Sequence, residues 1–408
     1  MTAAAPTPPQ PAVAAIMLGV VALLPLLALL SAMAMTPAVL ILALLFGLAV
    51  GPRSVFPLVA AEGRVFWLAV LGVCAWAMLS VAWSIAPAFS AVEGLRFGAL
   101  MLIAAAAFVL SPRVALPPRT IGWLVVSFVV CIVALMIELV PGGGIIRWAH
   151  GMLGLDYARF IDKNINRGLC ALVVLSWPAA MAFHAAGYAR AAYALPLFLA
   201  VPVFGFDSLS AQLALALGLI AFYAVLLSPK AVPRVLAVLI PAGLLAWPLL
   251  FLVLDRVLFS DPTIYAALPN TAQHRVEIWR FVTERIADRP WLGWGMETAR
   301  HIPGGDVVYF GERKYMPLHP HNSALQVFLE LGVVGFALAV TALTLSLRRW
   351  SRLQGVPAPT QAAAVAMIVA YLSIGFTAFG VWQSWWIAVG WIGAVLWRMH
   401  IRPVTVSG

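Results

Sequence analysis

The sequence predicts an all-α polytopic membrane protein of about twelve transmembrane helices with one large extramembrane loop. Three observations carry that prediction. Residues are 63% hydrophobic and only 10% charged, with a mean hydropathy of +1.00, whereas soluble domains carry roughly 25% charged residues. Apolar runs long enough to approach or span a bilayer recur along the chain. Its basic residues also segregate into alternate connecting segments.

Taken in order, Met1 to Pro11 lacks Lys and Arg and is rich in Ala and Pro, so it reads as a disordered tail rather than a signal peptide. Apolar runs follow at 12–32, 37–51, 65–83, 97–110, 120–140, 168–187, 192–206, 209–227 and 235–254, then at 323–346, 361–379 and 385–397. Cys74, Cys131 and Cys170 all lie inside such runs and read as small core residues. One set of connections holds Arg53, Arg64, Arg113, Arg119, Arg190, Lys230, Arg234, Arg348, Arg349, Arg352, Arg398 and Arg402 against the single acid Glu62. By the positive-inside rule that set is cytoplasmic, which puts both termini inside and segments near 140–167 and 255–320 outside. The net charge of +10 is thus accounted for by membrane topology, and no nucleic-acid partner is expected. The expected organisation is nine helices over 1–254, an external helical subdomain over 255–320 and three helices over 321–408.

Within the insert, Val276, Trp279, Val282 and Ile286 recur at helical spacing, predicting an amphipathic helix from Thr271 to Asp288 that Pro290 stops and Asn270 or Thr271 caps. Pro290-Trp-Leu-Gly-Trp-Gly295 reads as a tight turn. Interface anchoring is the preferred role for Trp291 and Trp294, with a sugar-stacking platform as the alternative.

Chemistry concentrates where this polar stretch meets the next apolar run. His321 sits at that boundary, and an imidazole there can take a proton from a hydroxyl near neutral pH. His319 lies two residues before it across the stiff Pro320 and is placed to orient substrate, with Asn322 beside them. Arg275, and Arg167 at the mouth of a span, are placed to meet a lipid diphosphate, because guanidinium groups bind phosphate oxygens in bidentate fashion. Lys163, Arg159 and Trp279 are the candidate supporting residues. Glu330, one turn or so into the apolar run, is expected to pair with an arginine or hydrogen-bond a neighbouring helix. Asp-x-Asp, His-Glu-x-x-His, P-loop and Gly-x-Ser-x-Gly patterns do not occur, so no metal and no cofactor is expected.

The pattern His321-Asn-x-x-Leu325 leading into Glu330-Leu-Gly-x-x-Gly335, preceded by Pro290-Trp-Leu-Gly-Trp-Gly295 and by Arg275, resembles the O-antigen ligase and polymerase superfamily. Ser84-Ile-Ala-Pro87, with Ser90 and Arg96, is similar to an early loop of that family. The resemblance implies a C-type glycosyltransferase (GT-C) architecture in the bacterial inner membrane with its active site facing the periplasm. It implies an inverting, metal-independent transfer of O-antigen from an undecaprenyl-diphosphate-linked donor to a lipid A-core acceptor, with a cavity open to membrane lipids. His321 would be the base, and Arg275 and Arg167 would stabilise the departing diphosphate. An O-antigen polymerase or a protein O-oligosaccharyltransferase would share that donor. A transporter is the non-enzyme alternative, disfavoured because few charged residues fall at mid-membrane depth.

Overall fold

In hydrocarbon a backbone finds hydrogen-bond partners only within the protein, so long apolar runs of one chain fold as helices. The computed structural model of this protein describes residues 9–60, 62–117, 119–154, 161–352 and 355–400. Among them the chain forms α1 (Pro11–Leu30), α2 (Met35–Val50), α3 (Pro52–Ala60), α4 (Arg64–Leu79), α5 (Pro87–Leu110), α6 (Thr120–Leu139), α7 (Ile145–Met152) and α8 (Ile161–Ala185). It continues with α9 (Ala189–Gly205), α10 (Leu209–Leu227), α11 (Ala231–Leu254), α12 (Pro262–Ala267), α13 (Asn270–Asp288), α14 (Ser323–Ser351), α15 (Ala358–Gly375) and α16 (Ser384–Met399).

All twelve expected runs are helices, and among the described residues ten stretches are long and apolar enough to cross a membrane. The two that fall short are α9, with 17 residues, and α16, with 16. Two boundaries move. α5 begins at Pro87 rather than near 97, because its polar first turns satisfy themselves: Ser90 donates to Met296 O at 2.7 Å and Arg96 pairs with Glu93 at 2.6 Å. α8 begins at Ile161 rather than 168 and brings Asn164 and Arg167 onto a helix. The short helices α3 and α7 were not expected. α8 is the central helix, with 89% of its span buried, and packs against α1, α9, α10, α15 and α16; α11, with 17% buried, lies at the periphery.

The two ends of the bundle differ in chemistry. At one end Glu62, between α3 and α4, accepts from Arg349 at 3.0 Å and Arg398 at 2.6 Å, which ties the ends of α14 and α16 together. The insert between α11 and α14 closes the other. There a π-helical turn, Asp255–Phe259, extends α11, and Asp261 caps α12 through Thr263 N and Ile264 N. α13 follows with its apolar face buried through Val276, Ile278, Phe281, Val282 and Ile286. Its cap residue is Pro269, with no side-chain bond, and Asn270 is the first helical position. Arg280 fixes α13 to the π-helical turn through Asp255 at 2.7 Å and the Phe259 carbonyl at 2.9 Å, while Glu277, one turn earlier on α13, accepts from it at 2.7 Å. A hairpin pairing β1 (Val308–Phe310) with β2 (Arg313–Lys314) completes the insert, a small departure from the all-α expectation.

α14 is broken at Gly332, whose φ of 65° and ψ of −175° belong to a region only glycine occupies readily. The Pro290–Gly295 turn docks into that break. Trp294 N and Gly295 N donate to the Leu329 and Glu330 carbonyls at 3.1 and 2.8 Å, and Val333 N donates to Pro290 O at 2.8 Å. Trp76 Nε1 caps the Leu331 carbonyl at 3.0 Å. Side chains would prevent the approach: a Cβ on Gly293 would stand 2.5 Å from the Glu330 carbonyl carbon.

Candidate active site

The site forms where the insert returns to the bundle, at the first turn of α14. Asn322 caps that helix, its Oδ1 accepting from Leu325 N at 3.0 Å, while its Nδ2 is buried with no partner. One residue earlier His321 adopts φ 53°, an unusual conformation for a side chain larger than glycine. That turn aims its imidazole at the loop between α15 and α16, where Nδ1 lies 2.5 Å from the Ala378 carbonyl oxygen. A carbonyl only accepts, so the proton sits on Nδ1 and Nε2 keeps its lone pair. Burial lowers the His321 pKa to about 4, with the nearby Arg275 charge also lowering it against the Ala378 bond. The ring is therefore neutral near pH 7.

His319 packs against it with ring centroids 4.4 Å apart, and its Nδ1 accepts the His321 amide proton at 3.2 Å. Burial, then His321, Arg300 and Arg167, hold its pKa well below the usual histidine range. Gly380 floors the ring, since a Cβ there would approach His319 Cγ to 3.0 Å.

α13 brings Arg275 and Trp279 to this point on one helical face. The Trp279 indole donates to the Pro320 carbonyl at 2.9 Å and packs edge-on against Trp247 and Phe251, so it holds the histidine loop in place. The Arg275 guanidinium is half-buried, with its pKa lowered by that burial. Among the described residues it has no carboxylate and no hydrogen-bond partner. Arg167, on the second turn of α8, donates to Asn164 Oδ1 at 3.3 Å and lies close enough to act on His319. Lys163 is exposed one turn earlier on α8. Arg159 lies outside the described residues.

Among the described residues Glu330 meets no arginine. It accepts instead from Glu297 N at 2.7 Å and Ala299 N at 3.2 Å in the insert, Gln326 Nε2 at 3.2 Å on its own helix and Trp382 Nε1 at 2.5 Å in the α15–α16 loop, so it does hydrogen-bond, but to loops and its own helix rather than to the expected neighbouring helix. Trp294 departs from the anchoring expectation: it is 8% exposed, donates to the Arg285 carbonyl at 2.8 Å and lies under Arg289. Trp291, 71% exposed, remains suited to an interface. Sequence reasoning passed over Ala378, Gly380 and the Glu297–Arg300 pair. Glu297-x-x-Arg300 at ion-pair spacing was a signal it could have used; a backbone carbonyl leaves none.

Residues 192–340 match the family described as O-antigen ligase. That region contains Arg275, Trp279, His319, His321 and Asn322 and leaves out Arg167 and Ala378. The chain is also similar to three proteins named "Putative polysaccharide ligase". It is 30% identical to that of Rickettsia prowazekii over 261 residues, covering 62% of this chain and 63% of the relative. Identity is 29% to that of Rickettsia conorii, covering 59% and 58%, and 30% to that of Rickettsia bellii, covering 60% of each. The chain thus spans less than two thirds of the length of these relatives.

Proposed function

From the match of residues 192–340 to the O-antigen ligase family, we propose that this chain transfers O-antigen from undecaprenyl diphosphate to lipid A-core, inverting the anomeric centre. One juxtaposition carries the reading: a neutral His321 whose only free ring nitrogen is an acceptor stands beside Arg275, a half-buried cation with no acid of its own among the described residues. In this reading the loop end of the bundle faces the periplasm of a bacterial inner membrane, and the bundle has the GT-C architecture.

His321 Nε2 takes the proton of the acceptor hydroxyl as that oxygen attacks the anomeric carbon. The bond from that carbon to the phosphate oxygen breaks, and its electron pair leaves with the diphosphate. Arg275 and Arg167 meet the charge that develops there, and fixed guanidinium donors are worth most where water is excluded. His319 holds the His321 amide, and the unpartnered Asn322 Nδ2 is a free donor for a substrate oxygen. Lys163 extends the positive face, and Arg159 is carried in the proposal from the sequence alone.

The test is glycan transfer by the purified full chain from undecaprenyl-diphosphate-linked O-antigen to lipid A-core, without nucleotide and in excess EDTA. Product on lipid A-core from wild type, and its loss in His321→Ala at matched protein levels, supports the reading. Product only on a second polyprenyl-linked glycan would make the protein a polymerase. A requirement for added Mg²⁺ or Mn²⁺ would overturn the role given to the arginines.

A further inference from the structure

Arg275 lies towards His321 and Arg167 towards His319; a further cationic group, Arg300, also lies towards His319. The turn after Gly295 projects Arg300, whose Nη2 donates to Glu297 Oε1 at 2.6 Å and whose guanidinium stands 5.2 Å over the Phe89 ring. The turn is not free to swing. Both Glu297 N and Ala299 N are held by Glu330, Glu330 also takes Gln326 Nε2, and Gln326 Oε1 takes Val381 N at 3.0 Å. Gly380, next to Val381, is the floor of His319. Hydrogen bonds from the turn to Val381, and the packing of the adjacent Gly380 beneath His319, therefore fix Arg300 relative to the histidine pair.

We propose that Arg300 is a further anion-binding residue of this site and that Glu297 holds it in the resting protein as an internal stand-in for a phosphate group. The site then takes a lipid bearing two phosphates, with Arg275 and Arg167 on one and Arg300 on the other; this rests on the donor chemistry proposed above. A carboxylate and a phosphate offer guanidinium the same paired acceptors, so one can replace the other without moving the arginine. Only one of the five guanidinium donors is spent on Glu297, and the Arg300 side chain is 34% exposed, which leaves donors open to a ligand. Glu297 is held in a left-handed backbone conformation, φ 58°, of the kind retained where a site fixes it. Burial raises the Glu297 pKa against the pull of Arg300, with Glu93 adding to the rise, so its charged form is the less comfortable partner to keep.

The experiment measures binding of undecaprenyl diphosphate and undecaprenyl monophosphate to the full chain in lipid nanodiscs. Wild type should prefer the diphosphate. Arg300→Gln should lose about ten-fold of diphosphate affinity, as removal of a charged hydrogen bond does, and bind monophosphate as wild type does. Glu297→Gln, freed of the internal competitor, should bind diphosphate more tightly, which an ion pair of purely structural value would not produce. Retention of the diphosphate preference in Arg300→Gln, or weaker diphosphate binding in Glu297→Gln, overturns the assignment. An Arg275→Gln variant that binds both lipids as wild type does, or a wild type that binds neither, overturns the donor reading itself.

Discussion

At the scale of the residue, the base role proposed for His321 requires an unprotonated ring. Its pKa of about 4 keeps it so down to mildly acidic pH. The plot of kcat/KM against pH, which reports the free enzyme, should therefore stay level from about pH 7 to about pH 5 and fall as the pH drops through about 4. An acid limb centred near 6.5 would indicate an ordinary solvated imidazole and sink the buried-base reading. Replacement by Ala should cost about 10²- to 10⁴-fold in transfer. Gly380→Ala tests the floor beneath His319: the new Cβ would press on Cγ, Cδ2 and Gln326 Oε1 at 3.0 to 3.3 Å. Its expected effect is a loss of a few-fold in kcat with normal expression, and an unchanged kcat would show that the His319 ring position is not critical. His321 was legible because an ionisable side chain at a water–hydrocarbon boundary is conspicuous in sequence. Its partner was not, because the Ala378 carbonyl belongs to the backbone and any residue could have supplied it. Trp279 was legible as a member of the site, but the structure spends its indole on Pro320.

Elements were readable in proportion to their length. Twelve apolar runs gave twelve helices, while α3, α7 and the β1–β2 hairpin escaped notice because so few residues set no clear period. The break in α14 escaped for a different reason: Glu330-Leu-Gly-Val-Val-Gly335 reads as uninterrupted apolar helix, and only docking of the Pro290–Gly295 turn reveals that the helix opens there. Gly332→Ala would force a side chain into a backbone region that costs about 1–3 kcal/mol and onto the Trp291 carbonyl. It should sharply reduce the yield of monodisperse protein, and a normal thermal transition would refute the docking geometry. Arg280→Ala removes two bonds that join α13 to the end of α11. A destabilisation of about 1–3 kcal/mol is expected from hydrogen bonds to a charged group, read as a lower unfolding temperature. Because α13 carries Arg275, donor binding should weaken along with it.

The whole molecule separates two polar ends by an apolar middle, as charge segregation in the sequence anticipated. A cysteine at Glu312, exposed in the insert, should react with an impermeant thiol reagent on intact cells stripped of the outer membrane, and one at Arg352 should react only after lysis. Cys74, Cys131 and Cys170 are all buried, so the native background should stay low. Labelling of both positions before lysis would overturn the proposed orientation. The seam at Gly332 bears on how such a chain can be recombined. Its carbonyls are matched by backbone amides from the 290–295 turn and by an indole from α4, so neither side of the seam is complete without the other. A chimaera that borrows the last three helices from a relative must therefore borrow the turn and the Trp76 position with them, and these distant stretches of sequence can be exchanged only as one cassette.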